Sequence, residues 1–240
     1  MARTDTQRKR ICGIDVELTR KPIKHFYIRV LPPDGNVRMS VPLRARNADI
    51  HSMVDERLEW ISARRTEILK SPPASPVEVL WGEAIALWGT ERRLEVYATH
   101  GQPSVSVLGS GNVLVNTGVG AGREQRVRQL REFYRAELKS AAEPLFVRWS
   151  AIMDVGQYEW RTKKMGTRWG TCNVNAKRIW LSLDLARRGP CCLESVIVHE
   201  LNHLLERNHT QRFWSLMDHF HPSWRLAEGE LRHNPSPRIE

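Results

Sequence analysis

Between Pro190 and Arg207, apolar residues recur at Leu193, Ile197, Leu201, Leu204 and Leu205, the spacing of a helix that buries one face. His199 and His203 lie four residues apart within it, so both rings project from one side, one turn apart. This combination obliges the fold to bury the helix while holding two imidazoles toward a common point. The run Ser195-Val196-Ile197-Val198 just before them is apolar enough to bury the surroundings. Pro190 suits the first helical position. Asn208 is the expected left-handed terminating residue.

The segment His199-Glu200-Leu201-Asn202-His203 has a chemical logic. Both imidazoles can reach one zinc ion at about 2.0–2.1 Å. Glu200 lies roughly 100° round the helix from His199. From there it can take a proton from a water on the zinc as that water attacks a carbonyl, without ligating the metal. A third ligand is required. His209 follows His203 by six residues and reaches the metal if the chain folds back near Asn208. That spacing is the metzincin one, but Glu206 stands where that pattern has Gly, and no Met-turn signature follows. The competing third ligand is an acidic residue from a later helix, Glu228 or Glu230. Three protein ligands with an open fourth position make a catalytic zinc arrangement, so Zn2+ is the expected cofactor. Glu206, within about 20° of His199 on the helical wheel, is expected to pair with an Arg. Asn202 is expected to be structural. An oxyanion would need a further electrophile, for which Tyr158, Arg168, His219 and His221 are the candidates.

Upstream, Met165 to Asn173 reads as a strand, Asn173 to Ala176 as a turn, and Ile179, Leu181 and Leu183 as the return strand. Trp169, Gly170 and Thr171 are candidate substrate-binding residues. A strand beside the active-site helix can pair with an extended peptide, and Gly170 permits close backbone approach. The alternative is a tight core strand in which Gly170 avoids a clash with the helix. Cys172 reads as a buried, inert thiol.

The first half of the chain is rich in short strands. Phe26, Ile28 and Val30 alternate, Pro32 to Asn36 turns, and Val37 to Val41 returns, which predicts a hairpin. Helical spacing links Ile50, Val54, Leu58, Ile61 and Ile68, with Asn47 or Asp49 as its cap. The stretch from Ser71 to Pro76 reads as a linker or long loop. Short strands are expected at 77–80, 84–88, 94–97, 104–108 and 113–115. Gly118 to Gly122 matches no phosphate-binding spacing and reads as a connector. A helix from about Glu124 to Phe146 follows. Thr210 is a candidate cap for a helix carrying Phe213, Trp214 and Met217, Ser223 for a last helix, and residues 233–240 read as a frayed tail. The expected division is a β-rich region over 1–122 and a second region over 123–240.

Composition excludes several classes. Nine Trp, five Phe and four Tyr in 240 residues are too many for a disordered chain. The most apolar stretch, Val77 to Gly89, contains Glu78 and Glu83 and is shorter than the roughly 20 apolar residues a bilayer crossing needs. The net charge of +10 reads first as a solvated face that keeps the protein soluble; nucleic acid is the alternative partner, although no nucleic-acid motif accompanies the charge. The four cysteines include the adjacent pair Cys191 and Cys192, which suits no simple disulfide framework. With no export signal at the N-terminus, a cytoplasmic protein with reduced thiols is expected.

The run from His199 to His203, followed by Asn208-His209 and Phe213-Trp214, resembles the YgjP-like metallopeptidase family. Arg168-Trp169-Gly170-Thr171-Cys172 is similar to its Trp-Gly-Ser-Cys signature, with Thr171 in place of Ser. The N-terminal strands, the Val41-Pro42 step and Trp60 fit as well. The resemblance implies a zincin-like region with His199, His203 and His209 as ligands and Glu200 as base, related to the SprT and WLM zinc proteases. Some of those relatives act at DNA–protein crosslinks. The fold expected is therefore α+β: a β-rich N-terminal region, then a zincin-like region with a short sheet and the active-site helix. The function expected is zinc-dependent hydrolysis of a peptide or protein. The alternatives are a nucleotide (UTP-type) pyrophosphohydrolase, a label that some family members carry, and a DNA-associated zinc protein.

Overall fold

The computed structural model describes residues 6–31, 34–70 and 77–233. The linker expected at Ser71 to Pro76, the tail after His233 and the two prolines of the first turn lie outside the described residues. Among those described, six helices and three small sheets make an α+β protein. No helix is long and apolar enough to cross a membrane. The chain divides into two compact units, Met1–Pro73 and Ala74–Glu240.

In the first unit, strands β1 (Thr6–Ile11), β2 (Ile14–Lys21), β3 (Tyr27–Leu31) and β4 (Asn36–Pro42) form one sheet in the order β1-β2-β4-β3. The hairpin read from the sequence is β3 with β4, antiparallel, with Ile28 opposite Met39. Cys12 and Gly13, both at positive φ, make the two-residue turn between β1 and β2. Alternation places Ile14, Val16 and Leu18 with Val37, Met39 and Val41 in a core shared with Ile50, Val54 and Ile61. The single helix expected here is two, α1 (Asn47–Asp55) and α2 (Leu58–Lys70). The Arg57 amide donates to Val54 only three residues back, a tightened turn that separates them. Arg46 precedes α1 and makes no side-chain cap, so neither expected capping residue serves.

The second unit opens with strands β5 (Ala84–Leu87), β6 (Thr90–Thr99), β7 (Ser104–Val107) and β8 (Val113–Gly118), ordered β5-β6-β8-β7. Helix α3 (Arg123–Met153) runs past its expected end at Phe146. The buried stripe of Leu130, Tyr134, Leu138 and Ala142 continues through Phe146, Trp149 and Met153, and Asp154 at φ 49° ends it. A second sheet follows, β9 (Glu159–Lys163), β10 (Gly170–Asn173) and β11 (Arg178–Ser182), ordered β10-β11-β9. The strand expected over 165–173 is thus only its last four residues. A short 3-10 turn leads to α4 (Pro190–Leu205), α5 (Gln211–Phe220) and α6 (Trp224–His233).

One core joins these elements. Leu94, Val113 and Val115 from the first sheet of the unit meet Leu130 and Leu138 of α3, Leu181 of β11, and Ile197 and Leu201 of α4. The Tyr134 hydroxyl donates to the Ala86 carbonyl at 2.6 Å, and the Trp88 amide to the Ala186 carbonyl at 2.8 Å. The boundary expected at 122/123 therefore falls inside the second unit. Strands β5 to β8 use α3 to cover their apolar face, so they belong with it rather than with the first 73 residues.

Candidate metal centre

Helix α4 is seated by Leu193, Ile197, Val198 and Leu201, all at most 1% exposed. Its opposite side carries His199 and His203, ring centroids 5.0 Å apart, into a cleft of about 820 Å³. The helix stops at Leu205, and Glu206 is extended at φ −141°. Asn208 is not left-handed: the reversal is made by Glu206 leaving the helix and by the Thr210 amide donating back to the Asn208 carbonyl at 2.7 Å. Thr210 then caps α5, its hydroxyl accepting from the Phe213 amide at 3.3 Å.

This tight return delivers His209 to the other two histidines. Its Nε2 lies 3.1 Å from the Nε2 of His199, and its ring centroid lies 4.8 Å from that of His203. One ring nitrogen from each of the three falls within 4.8 Å of the others. Burial, then the His203 and His209 charges, push His199 down to about 3, and burial lowers His203 as well. His199 and His203 therefore favour the neutral form, which keeps a ring nitrogen lone pair. The Nδ1 of His203 sits 3.4 Å from the Glu206 carbonyl, a partner that helps to orient the ring.

Phe213 is the hidden support of the group. It is fully buried, and its ring centroid lies 4.7–4.9 Å from those of all three histidines. The sequence marked it as an apolar residue of α5 and as part of the family resemblance, not as a support for the three rings. Phe213→Ala is expected to destabilise the protein by about 3–5 kcal/mol and to weaken metal binding as the rings lose their common seat. Thermal unfolding and metal titration check both. Asn202 assists from behind: its side-chain amide donates to the Phe213 carbonyl at 2.9 Å.

Glu200 is 5% exposed, and its Oε2 has no hydrogen-bond partner. Burial pushes its carboxyl up to about 8, against a smaller opposing pull from Arg168. It lies against β10, where a Cβ on Gly170 would stand 2.6 Å from Glu200 Oε1 and 2.7 Å from Cγ. The clash that Gly170 avoids is thus with this side chain. Trp169, Gly170 and Thr171 all line the cleft. Cys172 beside them is a neutral thiol, pushed up to about 11 by burial and then by Glu200.

The other sequence candidates separate. Arg168 lines the cleft. Tyr158 is tied to Ser150 and the Phe146 carbonyl, His221 packs edge-on to Trp149, and His219 lies against Phe220. Glu228 lines the cleft but pairs with Arg232 at 2.5 Å. Glu230 sits at the start of α4, accepting from the Gly189 amide at 2.9 Å and from the Cys191 thiol. Neither acid is grouped with the histidines among the described residues. Glu206 accepts from the Asn208 amide at 3.4 Å, and among the described residues no ion pair with an Arg joins it.

A family model described as YgjP-like, metallopeptidase domain, matches residues 24–234. The chain belongs to the YgjP-like family. Membership makes it a metallohydrolase of the metallopeptidase kind and implies a divalent metal and a peptide or protein substrate. The donor set fits such a metal: three imidazoles converge, and Glu200, which lines the same cleft, has a buried oxygen with no partner among the described residues. Among solved structures, the metallopeptidase zymogen of Pyrococcus abyssi abylysin is similar at 17% identity. That match covers 38% of this YgjP-like chain and 90% of the other, with a TM-score of 0.35, too low to carry an argument. No curated protein matches.

Proposed function

We propose that this YgjP-like protein is a zinc-dependent peptidase in which His199, His203 and His209 hold the zinc and Glu200 is the general base. The observation that carries the reading is the convergence of three imidazoles in a cleft that Glu200 also lines, with one buried Glu200 oxygen unpartnered among the described residues. Imidazole donors favour zinc over magnesium or calcium, which take oxygen ligands. What zinc supplies when bound is Lewis acidity, toward a water and toward the carbonyl under attack. The rest falls to the chain. Glu200 Oε2 accepts the proton of the attacking water and passes it to the departing amine. Arg168, one of the two arginines that line the cleft with Arg207, is proposed to steady the oxyanion. Strand β10 stands at the end of its sheet's strand order, which supports Trp169, Gly170 and Thr171 as the edge on which an extended peptide lies.

Nucleotide pyrophosphate hydrolysis has less support. Such chemistry recruits magnesium through carboxylates, and no group of three carboxylates gathers among the described residues. A nucleic-acid partner is supported by net charge alone.

The deciding experiment is elemental analysis of protein purified without a histidine tag, beside His209→Ala. One zinc per chain in the wild type and loss of most of it in the variant are expected. A wild type that takes up no zinc on reconstitution would remove the reading. Full retention in His209→Ala would remove His209 from the ligand set.

A further inference from the structure

Beside the three histidines stands a column of flat side chains. His209 lies over Trp214, ring centroids 5.4 Å apart and planes within 21°. Trp214 lies over Trp224 at 4.9 Å and 22°. The Arg225 guanidinium follows, 4.4 Å from the Trp224 ring centroid. Asp218 clasps the far end. Its Oδ1 accepts from Trp224 Nε1 at 2.9 Å and from Arg225 Nη1 at 2.6 Å, and its Oδ2 accepts from Nη2 at 3.3 Å. Trp214 and Asp218 are one turn apart on α5, and Trp224 and Arg225 open α6. The column therefore ties the loop bearing His209 to both C-terminal helices.

The need for such a column lies in how His209 is held. His199 and His203 ride on a packed helix, whereas His209 is exposed on the short segment between α4 and α5. A metal-binding histidine ordinarily gives its other ring nitrogen to a carbonyl or carboxylate, which sets the ring's orientation. His203 has such a partner at Glu206. Among the described residues, the hydrogen bond of His209 runs from Nε2 to His199, and none engages its Nδ1. Stacking takes the place of that bond. Trp214 presents its face to His209, and Phe213 closes the ring's edge. Trp214 is itself stacked on Trp224, which opposes its tilting into the cleft that it lines.

We propose that Trp224, acting through Trp214, is a positioning residue for His209, an inference that rests on His209 being a metal ligand. The column fixes the plane of the one ligand that no helix and no hydrogen bond to Nδ1 orients. Removing Trp224 frees Trp214 to tilt, and His209 then presents its nitrogen out of line.

The test compares Trp224→Ala, Trp224→Phe and the wild type for zinc affinity, by competition with a chromophoric chelator, and for the visible d–d spectrum of the cobalt-loaded protein. Trp224→Ala is expected to lose about 10–100-fold in zinc affinity, as for other residues that orient a ligand, and to show an altered cobalt spectrum. Trp224→Phe, which restores a stacking face, recovers both. Leu226→Ala, at a position on α6 that is 79% exposed, leaves both unchanged. Should Trp224→Ala fail to fold, Arg225→Ala removes the outer end of the column and is expected to cost about 2–5-fold in affinity. Wild-type affinity and spectrum in Trp224→Ala overturn the inference and leave the zinc reading standing. A loss that Phe does not rescue, accompanied by a lower melting temperature of the metal-free protein, assigns Trp224 a structural role and overturns it too. A wild type that binds no zinc removes the zinc reading itself.

Discussion

Glu200→Gln is expected to keep its metal and lose about 10²–10⁴-fold in peptide hydrolysis, the contribution typical of a positioned general base. Gln has the shape of Glu, so it fits the space under Gly170 and leaves the helix undisturbed. It carries no charge, so its burial costs less than that of the carboxylate it replaces. What it cannot do is accept a proton from water. Turnover of a quenched-fluorescent peptide mixture, measured beside elemental analysis, separates the two properties. Full activity with metal bound would refute Glu200 as the base. Loss of metal together with activity would show the residue to be part of the binding site instead.

Gly170→Ala should be nearly as damaging, although it adds one methyl group far along the chain from the histidines. The new Cβ would meet Glu200 Oε1, Cγ and Cδ at 2.6, 2.7 and 2.9 Å, all inside contact distance. Glu200 is 5% exposed and has no solvent to swing into. Either the carboxylate moves off its line toward the histidines, or β10 moves away from α4. Overpacking of this kind costs about 1–3 kcal/mol in stability. The catalytic loss is expected to reach about 10²-fold, because a misplacement near 1 Å is enough for that. The two roles of Gly170 are separable by kinetics. A fall in kcat follows from a displaced Glu200. A rise in KM with kcat unchanged would mean that the glycine serves only the approach of substrate to the strand edge. Unchanged kcat and KM would show that the site absorbs the methyl group and that Gly170 is not the seat of Glu200.

Much of the site was legible because its logic is local. Helical period alone puts His199 and His203 on one face and Glu200 beside them. Thr210 announced the start of α5 by its chemistry as a cap, and the alternation of 26–30 with 37–41 announced a hairpin. Local signals failed where a neighbour remote in sequence decided the outcome. Helix α3 runs to Met153 because Phe146, Trp149 and Met153 find a core to enter. Strand β9 carries alternating residues too exposed to stand out, and Trp160 is fixed by stacking on Phe146 at 4.8 Å. Asn208 is a common helix terminator, yet the chain reverses through Glu206 and Thr210.

The sequence by itself determined the chemistry of the site: which groups can take a metal, which carboxylate stands next to them, and that a third imidazole follows within reach. The first two are consequences of covalent spacing on a helix, whereas His209 comes within reach only because the chain turns back after Leu205. Tertiary structure alone decided that β5 to β8 belong with α3 rather than with the first 73 residues, since apolar surface is buried wherever it finds a partner. It also decided that Gly170 makes room for Glu200, that Phe213 packs against three rings at once, and that His209 stacks on Trp214 and Trp214 on Trp224. Packing acts between side chains brought together by the fold, and no spacing along the chain encodes it.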